Sequence, residues 1–166
     1  MSLSSVVKTY LSQHKIPFDV LEHPHTDNSI QTAHSVHMSP SQLAKAVVVK
    51  DHDRYIMCVL PASHVLVMNW VDRDCKGRFK LVTEKELGNL FPDCETGAVP
   101  PLGEAYGLKV VWDAALRDAK EIYFEGGDHR HLVHVGDEFR AHMAKSDHAT
   151  ISCTPDMIEC YRHTHL

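Results

Sequence analysis

The segment Gly97-Ala98-Val99-Pro100-Pro101-Leu102-Gly103 carries the strongest local signal for chemistry in the 166-residue chain. Glycine tolerates backbone angles closed to other residues, and paired prolines stiffen a segment while withholding N–H donors. A loop of this composition can present the N–H groups of Ala98 and Val99 to an anionic oxygen, as an oxyanion hole does. The same composition also describes a rigid surface turn. Lys45 is a single cation just ahead of the apolar run Ala46-Val47-Val48-Val49. There it can reach into a cleft and hold a phosphate as a point charge, or lay its stem on the core with its head in water. Gly126-Gly127-Asp128-His129-Arg130-His131 joins two expected strands. Its double glycine permits close approach to a ligand and His129 or His131 can move protons, but a plain hairpin turn accounts for it equally well.

Fourteen histidines raise the question of a metal. His129 and His131 share one face of a strand, His23-x-His25 repeats that spacing, and Cys160, His163 and His165 cluster near the C-terminus. None of these forms a four-ligand zinc pattern, so neither a metal nor another cofactor is expected. The chain has no serine nucleophile elbow, P-loop or dinucleotide fingerprint. Its acidic residues are spread too evenly to nominate a carboxylate pair.

The elements that must position these residues follow from periodicity and punctuation. Val6, Val7, Tyr10 and Leu11 recur at helical spacing behind a serine N-cap, and Pro17 follows the stop. Phe18 to Glu22 alternates like a strand. A polar loop from His23 to Asn28 leads to a helix near Gln31 to His37, and Ser39-Pro40 opens one more turn. Ala46 to Val49 and Tyr55 to Leu60 flank Asp51-His52-Asp53 as a hairpin of core strands. Ser63 to Gly77 fits neither period. Phe79 to Val82 reads as a strand, and Thr83-Glu84-Lys85-Glu86 is a capping box opening a helix to about Leu90. After the Gly/Pro-rich loop from Phe91 to Gly107 come strands at Leu108 to Trp112, Glu121 to Phe124 and Leu132 to Val135, then a short helix from Asp137 to Met143. With no repeat and no linker, this is one α+β domain, a mixed sheet flanked by helices.

Composition sets outer bounds. Seventeen Lys and Arg against 22 Asp and Glu leave a net charge of −5, which argues against a long duplex footprint and against DNA as partner. Binding a short single-stranded end through one basic spot remains compatible. Five scattered cysteines without a C-x-x-C pair, the lack of an apolar leader and the lack of a membrane-length apolar run point to reduced thiols in the cytoplasm.

Taken in order, three segments resemble the YbaK and prolyl-tRNA synthetase-associated editing domains. Gln42-Leu43-Ala44-Lys45-Ala46-Val47-Val48-Val49 is similar to that family's lysine-bearing strand start. Gly97 and Pro101 fit its Gly-x-x-x-Pro loop, and Ile122-Tyr123-Phe124-Glu125-Gly126-Gly127 is similar to its strand and double-glycine turn. The resemblance runs from about Val6 to Met143. It implies a barrel-like mixed sheet, and a deacylase domain over residues 1–145 followed by a tail, 146–166, of unassigned role.

The resemblance further implies hydrolysis of mischarged tRNA by a freestanding, trans-acting protein, with tRNA-Pro carrying a small amino acid as the expected type of substrate. The partners implied are the tRNA acceptor end and an aminoacyl-tRNA synthetase; the alternative is a non-catalytic module binding either one. Lys45, Gly97 and Pro101 are the residues carried over. Lys45 would hold the terminal adenosine or its phosphate, and the Gly97 to Pro101 loop would bind the ester carbonyl. Ala98, Val99, Gly126, Gly127 and His129 complete the expected substrate contacts. Water, assisted by the ribose hydroxyl of the tRNA, would attack without a side-chain nucleophile.

Overall fold

The computed structural model describes residues 3–26 and 28–158. In chain order its elements are α1 (Ser5–Gln13), β1 (Phe18–Glu22), α2 (Ser29–Ser35), β2 (Ala44–Asp51), β3 (Arg54–Pro61), β4 (Val65–Leu66), α3 (Met68–Cys75), β5 (Lys80–Leu81), α4 (Glu84–Leu90), β6 (Lys109–Asp113), β7 (Ile122–Glu125), β8 (His131–Val135), α5 (Asp137–Met143), β9 (Asp147–Ala149) and β10 (Ser152–Cys153). Short 3-10 turns occupy Pro40–Gln42, Gly103–Tyr106 and Ala114–Leu116.

The expected hairpin is the frame. β2 and β3 pair antiparallel from Ala44 opposite Pro61 to Asp51 opposite Arg54, and His52 turns the chain with a φ of 54°. β5 adds to the free edge of β2, while β6 and then β9 add in parallel beyond β3, giving the order β5-β2-β3-β6-β9. A second, antiparallel sheet runs β1-β8-β7, and β10 pairs with β4.

Alternation along the central strands sorts their side chains onto two faces. Met57, Val59, Val110 and Trp112 meet Val7 and Leu11 of α1, Phe139 and Met143 of α5, and Phe124 and Val133 of the second sheet. Ile56, Cys58 and Val111 point the other way, onto Val71 of α3, Phe79 and Ile151. Fully burying aliphatic and aromatic side chains of this kind stabilises a fold by roughly 1.5–3 kcal/mol each, so this two-sided packing is the main cohesion of the domain.

The caps hold as the sequence suggests. Ser4 accepts from the Val7 N–H at 3.3 Å, and Thr83 and Glu86 form both halves of the capping box. No described helix is long and apolar enough to cross a membrane.

Two expectations need correction. The sheet does not close into a barrel: among the described residues, a single parallel bridge between Leu43, just ahead of β2, and Tyr123 of β7 links the two sheets. Farther along β2, Val49 and Lys50 pair with β5, so a longer ladder to β7 is displaced. The second correction concerns Lys45, which lies inside β2 opposite Leu60 rather than ahead of the strand. The strand starts early because the Leu43 carbonyl already accepts the Ala62 N–H at 2.7 Å.

Residues 147–153, within the segment set apart as a tail, add strands to two of the sheets. Buried Asp113 ties them in, accepting from the Ile151 N–H at 3.1 Å and the Ser152 hydroxyl at 2.7 Å. Cys160, His163 and His165 lie outside the described residues.

Candidate functional site

β2, the loop after α4 and β7 converge on a cleft of about 130 Å³ lined by Ser29, Lys45, Leu87, Gly97, Val99 and Glu125, together with Leu43, Ala44 and Ala46. Segments carrying Lys45 and Gly97, 52 positions apart in sequence, thus line one cleft. The volume is below the roughly 300–1,000 Å³ of sites for drug-sized ligands, so the cleft admits a small group and not a whole nucleotide.

Lys45 is half-buried and makes no hydrogen bond or ion pair to any described residue. Burial alone pushes its ammonium pKa down from the usual lysine value. An ammonium without an acceptor at a cleft is poised to take an anion from outside, because any incoming phosphate offsets its desolvation.

The Gly97 loop is built by a tight turn. The Ala98 N–H donates to the Glu95 carbonyl at 3.0 Å, and Gly97, third of the four residues, takes a φ of 83°. Glycine at that position is the mark of a type II turn. A Cβ there would also come within 3.2 Å of His129 Cε1.

This geometry revises the expected donors. The Ala98 N–H is already engaged, and its side chain is buried outside the cleft. The N–H groups of Gly97 and Val99 have no acceptor among the described residues, and both residues line the cleft. Pro100 follows with no N–H of its own. Pro101 is buried away from the cleft, beside Tyr10, Trp112 and Phe139, where it anchors the loop to the core.

The double-glycine turn likewise sits behind the loop rather than in the cleft. Gly126 is packed so closely that a Cβ would meet Leu3 Cδ1 at 2.1 Å, and its carbonyl accepts the Ser4 N–H. Gly127, with a φ of 113°, accepts the Glu95 N–H at 2.7 Å. His129 holds the Thr96 carbonyl with Nε2 at 2.5 Å. These residues fix the turn that presents Gly97 and Val99.

One residue the sequence did not single out stands in the cleft itself. Glu125, at the end of β7, is buried, and desolvation raises its pKa from 4.5 to about 7. Its Oε1 lies 3.2 Å from His23 Nε2 and accepts from the Thr32 hydroxyl at 3.2 Å. His23 is also buried, and its pKa is pushed down, chiefly by desolvation. Both shifts favour a neutral hydrogen-bonded pair over an ion pair. The hydrogen bonds are compatible with that pair: His23 Nδ1 is 2.7 Å from the Pro24 carbonyl, which only accepts, so Nδ1 carries a proton, and Nε2 meets Glu125 Oε2 at 3.4 Å.

Among the described residues, His25, Glu95 and His129 bring one ligand atom each within 4.8 Å of one another, a set of donors able to hold a cation beside the loop. No spacing in the sequence announces it, because three separate segments supply it.

Comparison with known proteins agrees with this architecture. The fold matches the structure of hypothetical protein APE2540 at a TM-score of 0.80, with 20% identity over 90% of this chain and 100% of that one. It matches a candidate trans-editing enzyme for prolyl tRNA synthetase at a TM-score of 0.79, with 22% identity over 92% of this chain and 99% of that one. At such identities the likeness is one of fold. No curated protein sequence matches significantly. Residues 23–141, which include Lys45, the Gly97 loop and Glu125, match the family model of the aminoacyl-tRNA editing domain, and the chain belongs to that family.

Proposed function

We propose that the protein hydrolyses the ester of mischarged aminoacyl-tRNA, acting in trans on tRNA, of the tRNA-Pro type, that carries a small amino acid. The observation that carries this reading is the meeting, in one small cleft, of Lys45 with the N–H groups of Gly97 and Val99, all three without a partner among the described residues. The family supplies the substrate class. The trans-acting mode is supported by likeness to a candidate trans-editing enzyme along nearly the whole of both chains.

In this reading Lys45 holds a phosphate or the terminal adenosine at the cleft mouth. The ester carbonyl lies against the Gly97 and Val99 N–H groups, which strengthen their hydrogen bonds as the oxygen becomes anionic. Such donors contribute most when they are already aimed, and Gly97 and Val99 are held by the turn, Pro100 and Pro101. Water attacks the carbonyl carbon with help from the neighbouring ribose hydroxyl, so no side-chain nucleophile is required. The about 130 Å³ available suits the side chain of a small amino acid.

The test is a deacylation screen of purified protein against tRNAs charged with alanine, cysteine, serine or threonine. At least one should be hydrolysed well above its spontaneous rate. Binding of tRNA without hydrolysis of any charged form would replace the enzyme with a binding module.

A further inference from the structure

We propose that Glu125, braced by His23 and Thr32, recognises the α-amino group of the aminoacyl ester. This rests on the reading of the cleft as the aminoacyl site and adds to it a determinant of substrate class: free aminoacyl esters, not N-acylated ones.

Position and charge together single out Glu125. In an aminoacyl ester the amino group sits on the carbon next to the carbonyl. A carbonyl bound at Gly97 and Val99 therefore places the amino group within the same small cleft. The polar side chains lining that cleft are Ser29, Lys45 and Glu125. Lys45 repels an ammonium and Ser29 is neutral, which leaves Glu125 as its counter-ion.

Two side chains hold the carboxyl: His23 Nε2 lies 3.4 Å from Oε2, and the Thr32 hydroxyl donates to Oε1 at 3.2 Å. An ammonium entering the cleft favours the carboxylate form of Glu125, whose proton leaves to solvent. Farther out, Asp128 is already engaged with His131 at 2.5 Å, so His131 does not compete for Glu125. An N-acylated substrate offers no cation and a larger group, and fails on both counts.

The test uses two probes: the amide-linked analogue 3′-alanylamino-3′-deoxyadenosine and its N-acetyl derivative, titrated calorimetrically into the protein and into Glu125→Gln. Gln keeps the size of the side chain and can still donate to His23, so the variant should retain its fold, checked by thermal melting. The wild type should bind the free amine at least about tenfold more tightly than the N-acetyl probe, and Glu125→Gln should bring the two affinities together. A purely structural role for Glu125 would weaken both probes alike, which would overturn the inference. So would equal binding of the two by the wild type, or binding of neither. Deacylation assays on the same preparations separate this from the proposed activity: amine preference without ester hydrolysis would overturn the activity and leave amine recognition standing.

Discussion

The Ala98 N–H donates to the Glu95 carbonyl across 3.0 Å, and this one hydrogen bond decides which groups of the loop are free for chemistry. It closes the turn, puts Gly97 at a φ of 83° and leaves the Val99 N–H beyond the turn without a partner among the described residues. In the proposed mechanism oxyanion stabilisation therefore falls to Gly97 and Val99.

Gly97→Ala tests that assignment. An L-residue at this φ costs about 1–2 kcal/mol, and the added methyl meets His129 at 3.2 Å. Misplacing a donor should reduce turnover by about 10²–10³-fold, the effect of losing one oxyanion-hole hydrogen bond. Melting temperature should fall only by the amount that the strain explains. Normal turnover with a large drop in melting temperature would make the loop a structural turn.

The location of Lys45 was legible as a cation at the start of a core strand, but its start register was not. β2 begins at Ala44 because Leu43 hydrogen-bonds Ala62, a contact with no local signature. The hairpin, the capping box of α4 and α5 were readable because each depends on nearby residues. Ser63 to Gly77 was not, since β4 is two residues long and α3 starts without a side-chain cap. In the candidate site the composition of the Gly97 loop was legible, but the expected Ala98 donor was not free, because the turn Glu95-Thr96-Gly97-Ala98 engages it; the glycine at the third position is the signal that could have shown this. Glu125 had no such signal. Its partners His23 and Thr32 are 102 and 93 positions away, and burial, a tertiary property, supplies its altered acidity.

Glu125 should also make stability fall with rising pH. Its pKa is about 7 in the fold against 4.5 for an unperturbed carboxyl, so between those values the folded chain keeps a proton that the unfolded chain releases. The contribution is fully present below 4.5 and is lost by about 7, a change on the order of 3 kcal/mol. His23, whose pKa is lowered, works in the opposite sense over part of that window. Denaturant melts of wild type and Glu125→Gln across this range should show the variant gaining relative stability as pH rises. A constant difference between the two would contradict a buried, protonated Glu125.

Asp113 should matter for stability rather than chemistry. It accepts from Ala115, Ile151 and Ser152 and is the side-chain tie between β6 and the segment leading into β10. Asp113→Ala strands these donors and should cost about 3 kcal/mol in urea unfolding. Deacylation per folded molecule should be unchanged. A loss below 1 kcal/mol would mean, at about the size of a single net hydrogen bond, that residues 147–153 dock without this tie.

Chelation addresses the His25, Glu95 and His129 set. The carbonyl is polarised by backbone N–H groups in the proposed mechanism, so exhaustive treatment with a chelator should leave turnover intact. Loss of activity restored by zinc alone would move the chemistry to those three residues.

The most direct measurement is single-turnover deacylation of the best mischarged tRNA by wild type and by Lys45→Ala, with substrate below saturation. Lys45 is a half-buried ammonium with no described partner, so its removal should leave melting temperature unchanged or slightly raised. The account predicts rapid hydrolysis by the wild type and a fall of at least about 10-fold in the variant, the scale of one lost charge-assisted contact. Equal rates for the two proteins, with the fold of both intact, would contradict it.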